Sequence, residues 1–361
     1  VLGMQNNLVE SEKVLRETEA LARKQGNLNA AASALNNLGF MLIGTGRLDD
    51  ARACMESSLS IRREMGNRHA VAWGLYSIGQ IDLADGEYAR MRERATEGLK
   101  IALDGGFLDW QWAHNYLGGV GAAFSGDHVT ATNHFNASRV VAQTMKSWYH
   151  EATSDNCLCL AAFISKDYVK AQEHILRSVG ATTEHGEPNL GAVGKVWQSR
   201  LAYAAGDFEV ARSFAQDALS YFTDDSRQVP SYNWNENLRI EYTALSARAL
   251  ANAQVRLKDL PAAHASLIKA TDGARRLKSE RVMLAALTMW AAYLAAKGEL
   301  AQALTVGSYT DGNRKTASFD LVEVTEAIAT ARAGLDAESL TKALKRAKAA
   351  NTLLLLDAVT S

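Results

Sequence analysis

The apolar residues of the chain recur with the 3.6-residue spacing of an amphipathic helix, and short polar breaks separate them at regular distances. The pattern predicts one helix over residues 37–43 and a second over residues 48–65, with a turn at residues 44–47 between them. Gly66 and Asn67 are then expected to end the second helix, because both residue types favour a left-handed C-cap. The chain therefore reads as pairs of helices joined by tight turns.

The turn inside each helix pair returns along most of the chain. It starts at Gly46, Gly86, Gly126, Lys166, Gly206, Lys258 and Gly298. The intervals are 40 residues, except one of 52 residues between the fifth and sixth turns. Small residues stand seven positions before every turn, and alanine stands five positions after six of the seven turns. Small side chains at fixed positions let helices approach closely, so we predict an all-α solenoid of about eight 40-residue helix pairs.

The order of small and large residues in each pair resembles the tetratricopeptide repeat. A small residue, an alanine twelve positions later and a large apolar residue four positions after that form this pattern, as in Gly39, Ala51 and Met55. The resemblance covers residues 1–310 and implies a right-handed superhelix of α-α pairs. Residues 311–361 lack the turn, and we expect helices at 319–333 and 337–357 to cap the last apolar face.

The 40-residue length of the repeat carries a second resemblance. The stretches Ala-Leu-Asn-Asn-Leu-Gly at residues 34–39 and Gly-Arg-Leu-Asp-Asp-Ala at residues 46–51 resemble repeats of bacterial STAND-class signalling ATPases. That class includes MalT-like, LuxR-type and AfsR-like transcription regulators, which carry such repeats at the C-terminus. The resemblance implies that the chain is the sensor region of a longer protein whose N-terminal NTPase or effector domain is its covalent partner.

In tetratricopeptide repeats the first helix of each pair lines a concave groove. By this resemblance, positions 13, 10, 6 and 3 before each turn face the ligand. The polar and aromatic residues at or beside these positions are Asn36, Trp73, Tyr76, Gln80, Trp112, Tyr116, Asn156, Arg200 and Tyr203. An asparagine amide both donates and accepts hydrogen bonds, and aromatic and arginine side chains are frequent anchors in binding sites. The alternative for each aromatic residue is packing against a neighbouring repeat.

The long interval holds about 12 extra residues near positions 223–237. This insertion contains Pro230, Tyr232 and Trp234. Because insertions in solenoids form loops on one face, Tyr232 and Trp234 could belong to a lid over the groove. The other interpretation is an extended first helix followed by a longer loop.

Composition and charge restrict the classes of partner. The chain has three prolines and abundant alanine, which favours helices over a turn-rich β fold. A net charge of −1 argues against direct nucleic-acid binding, which needs a clustered basic face. The absence of an apolar run of membrane-spanning length argues against a membrane partner. Three cysteines fit a reducing compartment, so we expect a cytoplasmic location.

The sequence offers no catalytic constellation, and no metal or cofactor is expected. Cys157 and Cys159 stand about 200° apart around a helix and cannot hold one metal together. Lys315 follows a phosphate-loop fragment, but two residues separate it from Gly312. We therefore expect a non-enzyme.

The favoured function is a sensor that binds a peptide, a protein or a small effector in its groove. The alternative is a free-standing scaffold or adaptor for a protein partner. Adaptors that grip a carboxylate tail need several basic residues on the first helices, where Arg200 and Arg248 stand nearly alone. Homodimerisation through an end repeat is left open.

Overall fold

The computed structural model describes residues 2–224, 226 and 236–360. Within these residues all long elements are α-helices, with one short 3₁₀ helix at Ser318–Asp320. The helices are α1 (Leu2–Lys24), α2 (Leu28–Gly44), α3 (Leu48–Glu64), α4 (Arg68–Ala84), α5 (Tyr88–Gly105), α6 (Leu108–Phe124), α7 (His128–Thr144), α8 (Trp148–Ile164), α9 (Tyr168–Glu184), α10 (Pro188–Ala204), α11 (Phe208–Thr223), α12 (Glu236–Arg256), α13 (Leu260–Leu277), α14 (Glu280–Lys297), α15 (Leu300–Asp311), α16 (Leu321–Gly334), α17 (Ala337–Ala349) and α18 (Thr352–Thr360).

In chain order, α2 to α15 form seven pairs of a first and a second helix, and α1 precedes them. The predicted all-α fold of helix pairs is confirmed. The single helix predicted over residues 337–357 is wrong, since α17 ends at Ala349 and α18 begins at Thr352. The break has a local cause, because the Asn351 side chain accepts a hydrogen bond from the Leu354 N–H at 2.9 Å and starts a new helix.

The turns inside and between the pairs depend on residues with a left-handed backbone conformation (positive φ) and on helix caps. Gly46 takes φ 70°, and Lys166 takes φ 62° at the corresponding place of a later repeat. The Asp167 side chain then accepts a hydrogen bond from the Lys170 N–H at 3.2 Å. Asp127, Asp207 and Asp259 cap their helices in the same way. The cap satisfies one of the free N–H groups of the second helix, so each turn leads directly into the next helix.

The chain forms two compact units. The N-terminal unit comprises residues 1–83 and 87–121, and the C-terminal unit comprises residues 84–86 and 122–361. The C-terminal unit includes α16 to α18 as well as the last four helix pairs. The division into a solenoid up to residue 310 and a cap after it stays a prediction.

Each unit has its own buried core. In the N-terminal unit, Leu75 and Ile78 are fully buried, and Leu117 lies so close to Gly79 that a larger residue there would collide with it. In the C-terminal unit, Trp290 is buried and its indole N–H donates to Thr271 Oγ1 at 2.9 Å. The cores bury the facing sides of the helices and hold the first helices of each unit side by side.

Candidate ligand-binding face of the first helices

Two asparagines at the same repeat position lie buried on first helices. Asn36 is on α2 and Asn156 is on α8, each ten positions before its turn. Their exposed fractions are 2% and 5%. Among the described residues, neither amide atom of Asn156 has a hydrogen-bond partner, and the Asn36 Nδ2 has none. A buried polar group without a partner costs about 1–3 kcal/mol, so these two amides are unusual for buried positions, and their role in ligand binding stays a prediction.

Two aromatic residues on neighbouring first helices of the N-terminal unit, Phe40 and Trp73, contact each other. Phe40 on α2 is 45% exposed, and its ring centroid lies 6.0 Å from that of Trp73 on α4. The Arg62 guanidinium covers the Trp73 ring at 4.6 Å. The Gln80 Nε2 on α4 is buried and has no hydrogen-bond partner among the described residues. Phe40 thus offers apolar contact area, while Gln80 offers an amide donor.

The other predicted aromatic residues of this unit contact one another closely. Tyr76 lies 6.1 Å from the Trp110 ring, and Trp110 donates its indole N–H to His69 Nε2 at 2.9 Å. Trp112 is 9% exposed and stacks on Tyr116 with 5.4 Å between centroids and 12° between planes. The contact of Tyr76 on α4 with Trp110 on α6 matches the packing alternative, whereas Trp112 and Tyr116 lie on the same helix; the role of all three predicted residues in ligand binding stays a prediction.

In the C-terminal unit, the predicted anchor Arg200 binds a carboxylate of the chain itself. Arg200 on α10 and Arg248 on α12 each donate to Asp320 Oδ1 at 2.7 Å. Asp320 is 4% exposed. Burial opposes its charge, but Arg248 and Arg200 outweigh that effect and hold the pKa of Asp320 below its ordinary value. The carboxylate is therefore ionised at neutral pH and neutralises part of the charge of the two arginines.

The two residues before Asp320 also contact the first helices. The Phe319 ring lies 5.0 Å from Phe124 and 6.4 Å from Trp197, measured between centroids. Arg200 covers the Phe319 ring at 4.9 Å. Ser318 Oγ donates to the carbonyl oxygen of Ala123 at 3.2 Å, within the C-terminal unit. Residues 318–320 thus contact first helices at or beside predicted groove positions, a contact that the repeat pattern does not predict.

Tyr203 lines a separate cavity of the C-terminal unit. The cavity has a volume of about 470 Å³ and lies between α12, α14 and α16. The Arg256 guanidinium lies 6.0 Å from the Tyr203 ring and pairs with Glu326 at 3.0 Å. The volume is in the range of small-molecule pockets, and the role of Tyr203 in ligand binding stays a prediction.

The predicted lid residues Tyr232 and Trp234 lie outside the described residues. The helices on either side are described: α11 ends at Thr223, and α12 begins at Glu236. With 21 residues, α12 is longer than the 17-residue α10, as the extended-helix interpretation expects. The lid itself stays a prediction.

Metal binding, thiol chemistry and membrane insertion find no support in the part of the chain that the structure describes. No cluster of three or more His, Cys, Asp or Glu side chains in this part of the chain could hold a metal ion. Burial raises the pKa of the Cys159 thiol to about 12, so this thiol is uncharged at neutral pH. None of the helices in the described ranges is both long enough and apolar enough to cross a bilayer.

Comparison with known proteins supports the fold. Residues 30–104 match the model of the tetratricopeptide repeat family. The chain is built from tetratricopeptide-like repeats. No curated protein matches the sequence. An α-helical repeat fold of this kind is suited to binding proteins or peptides.

Solved structures of similar fold share little sequence with the chain. A Rap protein complexed with Competence and Sporulation Factor aligns with a TM-score of 0.52 and 11% identity, covering 88% of this chain and 98% of the Rap chain. BtubC from P. vanneervenii aligns with a TM-score of 0.51 and 14% identity, covering 64% of this chain and 98% of its own. The apo quorum sensor NprR from B. thuringiensis aligns with a TM-score of 0.48 and 12% identity over 99% and 100% of the two chains. At these identities the first two alignments establish the fold alone.

Proposed function

We propose that the chain is a non-catalytic binding module that receives an extended peptide or protein segment along its first helices. Asn156 carries this proposal, because it is 5% exposed and both of its amide atoms lack partners among the described residues. One asparagine amide can donate to the carbonyl and accept from the N–H of the same ligand residue. Such a pair of bonds recognises an extended backbone whatever its side chains are.

The repeat register supports the same interpretation. Asn36 holds the position of Asn156 three repeats earlier, and its Nδ2 atom is also buried without a partner among the described residues. In the N-terminal unit, the exposed Phe40 beside Trp73 offers a contact for an apolar ligand side chain. The Rap protein of similar fold was solved in complex with Competence and Sporulation Factor, which is consistent with a ligand here.

We further propose that this module is the sensor of a STAND-type signalling ATPase or transcriptional regulator in the cytoplasm. The resemblance of residues 34–39 and 46–51 to the repeats of that class supports this context. A ligand would then shift the parent protein between off and on states through its different affinity for the two. A free-standing scaffold that uses the same first helices is the second candidate. Reading the open reading frame upstream of residue 1 separates the two, because only the sensor requires an NTPase or effector domain there.

The binding function is tested by selecting peptides from a random display library on the full chain. Binders are then measured by calorimetry against the wild type, Asn156→Leu and the control Asn136→Leu. Asn136 is an exposed asparagine on the second helix α7. We expect Asn156→Leu to weaken binding at least about tenfold and Asn136→Leu to leave it unchanged. Failure to select any peptide, or equal affinity for Asn156→Leu, would contradict the proposal.

A further inference from the structure

Asp320 occupies the position of a helix cap but does not act as one. It stands at the N-cap of α16, and its side chain makes no capping hydrogen bond. Asp336, at the N-cap of α17, does accept a hydrogen bond from the Ser339 N–H at 2.7 Å. The Asp320 carboxylate points instead to Arg200 and Arg248, which both donate to its Oδ1. The carboxylate therefore binds arginines of the first helices α10 and α12 instead of capping α16, the helix that it precedes.

The surroundings of Asp320 form a site for a single carboxylate. Arg248 is held from a second side by Thr288 Oγ1 of α14, at 3.3 Å. Arg281 also lowers the pKa of Asp320, and it is paired with Glu241 at 2.5 Å. The guanidinium groups of Arg200, Arg248 and Arg281 therefore lie near only two carboxylates, those of Asp320 and Glu241. If Asp320 left, the arginines would be desolvated without a partner, so only another anion could replace it at low cost.

An aromatic site adjoins the carboxylate site. The Phe319 ring lies against Phe124, at right angles, and under the Arg200 guanidinium. The Arg200 guanidinium also lies 5.5 Å from the Trp197 ring centroid and 5.8 Å from the Phe163 ring centroid, so rings on α8 and α10 adjoin it as well. An aromatic residue directly followed by an acidic residue thus fits this part of the first-helix face.

We propose that Arg200 and Arg248 form the recognition site for a peptide partner with an aromatic residue followed by an acidic residue, and that Ser318–Asp320 occupies this site until the partner displaces it. The proposal rests on the proposed peptide-binding function. The occupying segment is one 3₁₀ turn between α15 and α16, so few backbone hydrogen bonds hold it in place. Charge complementarity defines the partner, because the incoming carboxylate must take over the two ion pairs of Asp320.

The test vacates the carboxylate site in the full chain. Asp320→Ala and the control Asp336→Ala, which removes a true cap, are titrated with a fluorescent peptide of residues 316–322, Thr-Ala-Ser-Phe-Asp-Leu-Val. We expect Asp320→Ala to bind it at least about tenfold more tightly than the wild type or Asp336→Ala does. The same peptide with Asn in place of Asp, or with Ala in place of Phe, should lose that gain. A folded Asp320→Ala chain that does not bind, or that binds the Asn peptide equally well, overturns the proposal.

Hydrogen exchange of the unmodified chain gives a second reading that does not depend on the folding of the variant. Displacement requires the amides of residues 316–320 to exchange faster than those in the middle of α10 and α12. If the amides of residues 316–320 exchange at the same rate as those of α12, the segment opens only when the core opens, and this result overturns the proposal. A library-selected peptide that needs Asn156 but binds the wild type and Asp320→Ala equally would overturn this proposal alone. Failure to select any such peptide would count against the binding function itself.

Discussion

The buried His114 makes the N-terminal unit sensitive to mild acid. His114 lies on α6, is 0% exposed, and its Nε2 is 3.0 Å from the carbonyl oxygen of Ala72. Its ring fills the space beside Gly98 on α5, where an added Cβ would come within 2.0 Å of it. Burial opposes a charge on the ring and lowers the pKa of His114 from 6.5 to about 4, although the Ala72 carbonyl acts in the opposite direction.

The sign and size of the effect follow from this lowered pKa. Well above pH 6.5 the ring is neutral in both states, and its titration does not affect stability. Between pH 6.5 and 4 the unfolded chain binds a proton that the folded chain does not, so stability falls as the pH falls. From pH 7.5 to pH 5 the loss in the free energy of unfolding is about 2 kcal/mol. Below the folded-state pKa no further loss arises from this group.

The assay compares the wild type with His114→Gln, which keeps an N–H donor but does not titrate in this range. Hydrogen exchange of the α5 and α6 amides, corrected for intrinsic rates at each pH, gives the local free energy of opening. The difference between the two chains should change by about 2 kcal/mol between pH 7.5 and pH 5. If the free energy of opening depends on pH in the same way in the wild type and in His114→Gln, the lowered pKa is contradicted. His114 would then be protonated as readily in the folded chain as in the unfolded one.

Three further predictions concern stability. Gly98→Ala should lower the free energy of unfolding by about 2–3 kcal/mol, because the added Cβ collides with the buried His114 ring. The control Gly180→Ala on α9 meets nothing within 4 Å and should raise the free energy of unfolding by about 0.5–1 kcal/mol. The melting temperatures of the two variants should therefore shift in opposite directions. Asp207→Ala removes the cap of α11 and should cost about 1 kcal/mol in urea denaturation, with no cost if the cap is unimportant. Asn156→Leu should stabilise the free chain by about 1 kcal/mol in the same assay, and a loss of stability would indicate that the amide has a structural partner.

The repeat pattern was sufficient to predict the helix pairs and their turns. Each turn is a local event, set by a residue such as Gly46 in the left-handed region and by a cap such as Asp167. Packing inside a solenoid also involves neighbouring repeats only, so a register found in one repeat holds in the next. The helix predicted over residues 337–357 is interrupted at residues 350–351, because the Asn351 side chain caps a new helix, α18.

The candidate site could be predicted only in part. The register placed Asn36 and Asn156 on first helices, but whether a buried amide finds a partner depends on the surrounding side chains in three dimensions. The contact between Arg200 and Asp320 joins residues 120 positions apart, one inside the repeats and one outside them. No periodicity relates these two positions. An aspartate before a helix is usually its cap, so no sequence pattern indicates that Asp320 binds two arginines instead.

The most direct measurement is a structure of the full chain bound to a peptide selected from the library. We expect the peptide to be extended along the first helices, with its backbone N–H and C=O both within about 3 Å of the Asn156 amide. A peptide bound to second helices, or one that leaves the Asn156 amide without hydrogen bonds, would contradict this expectation.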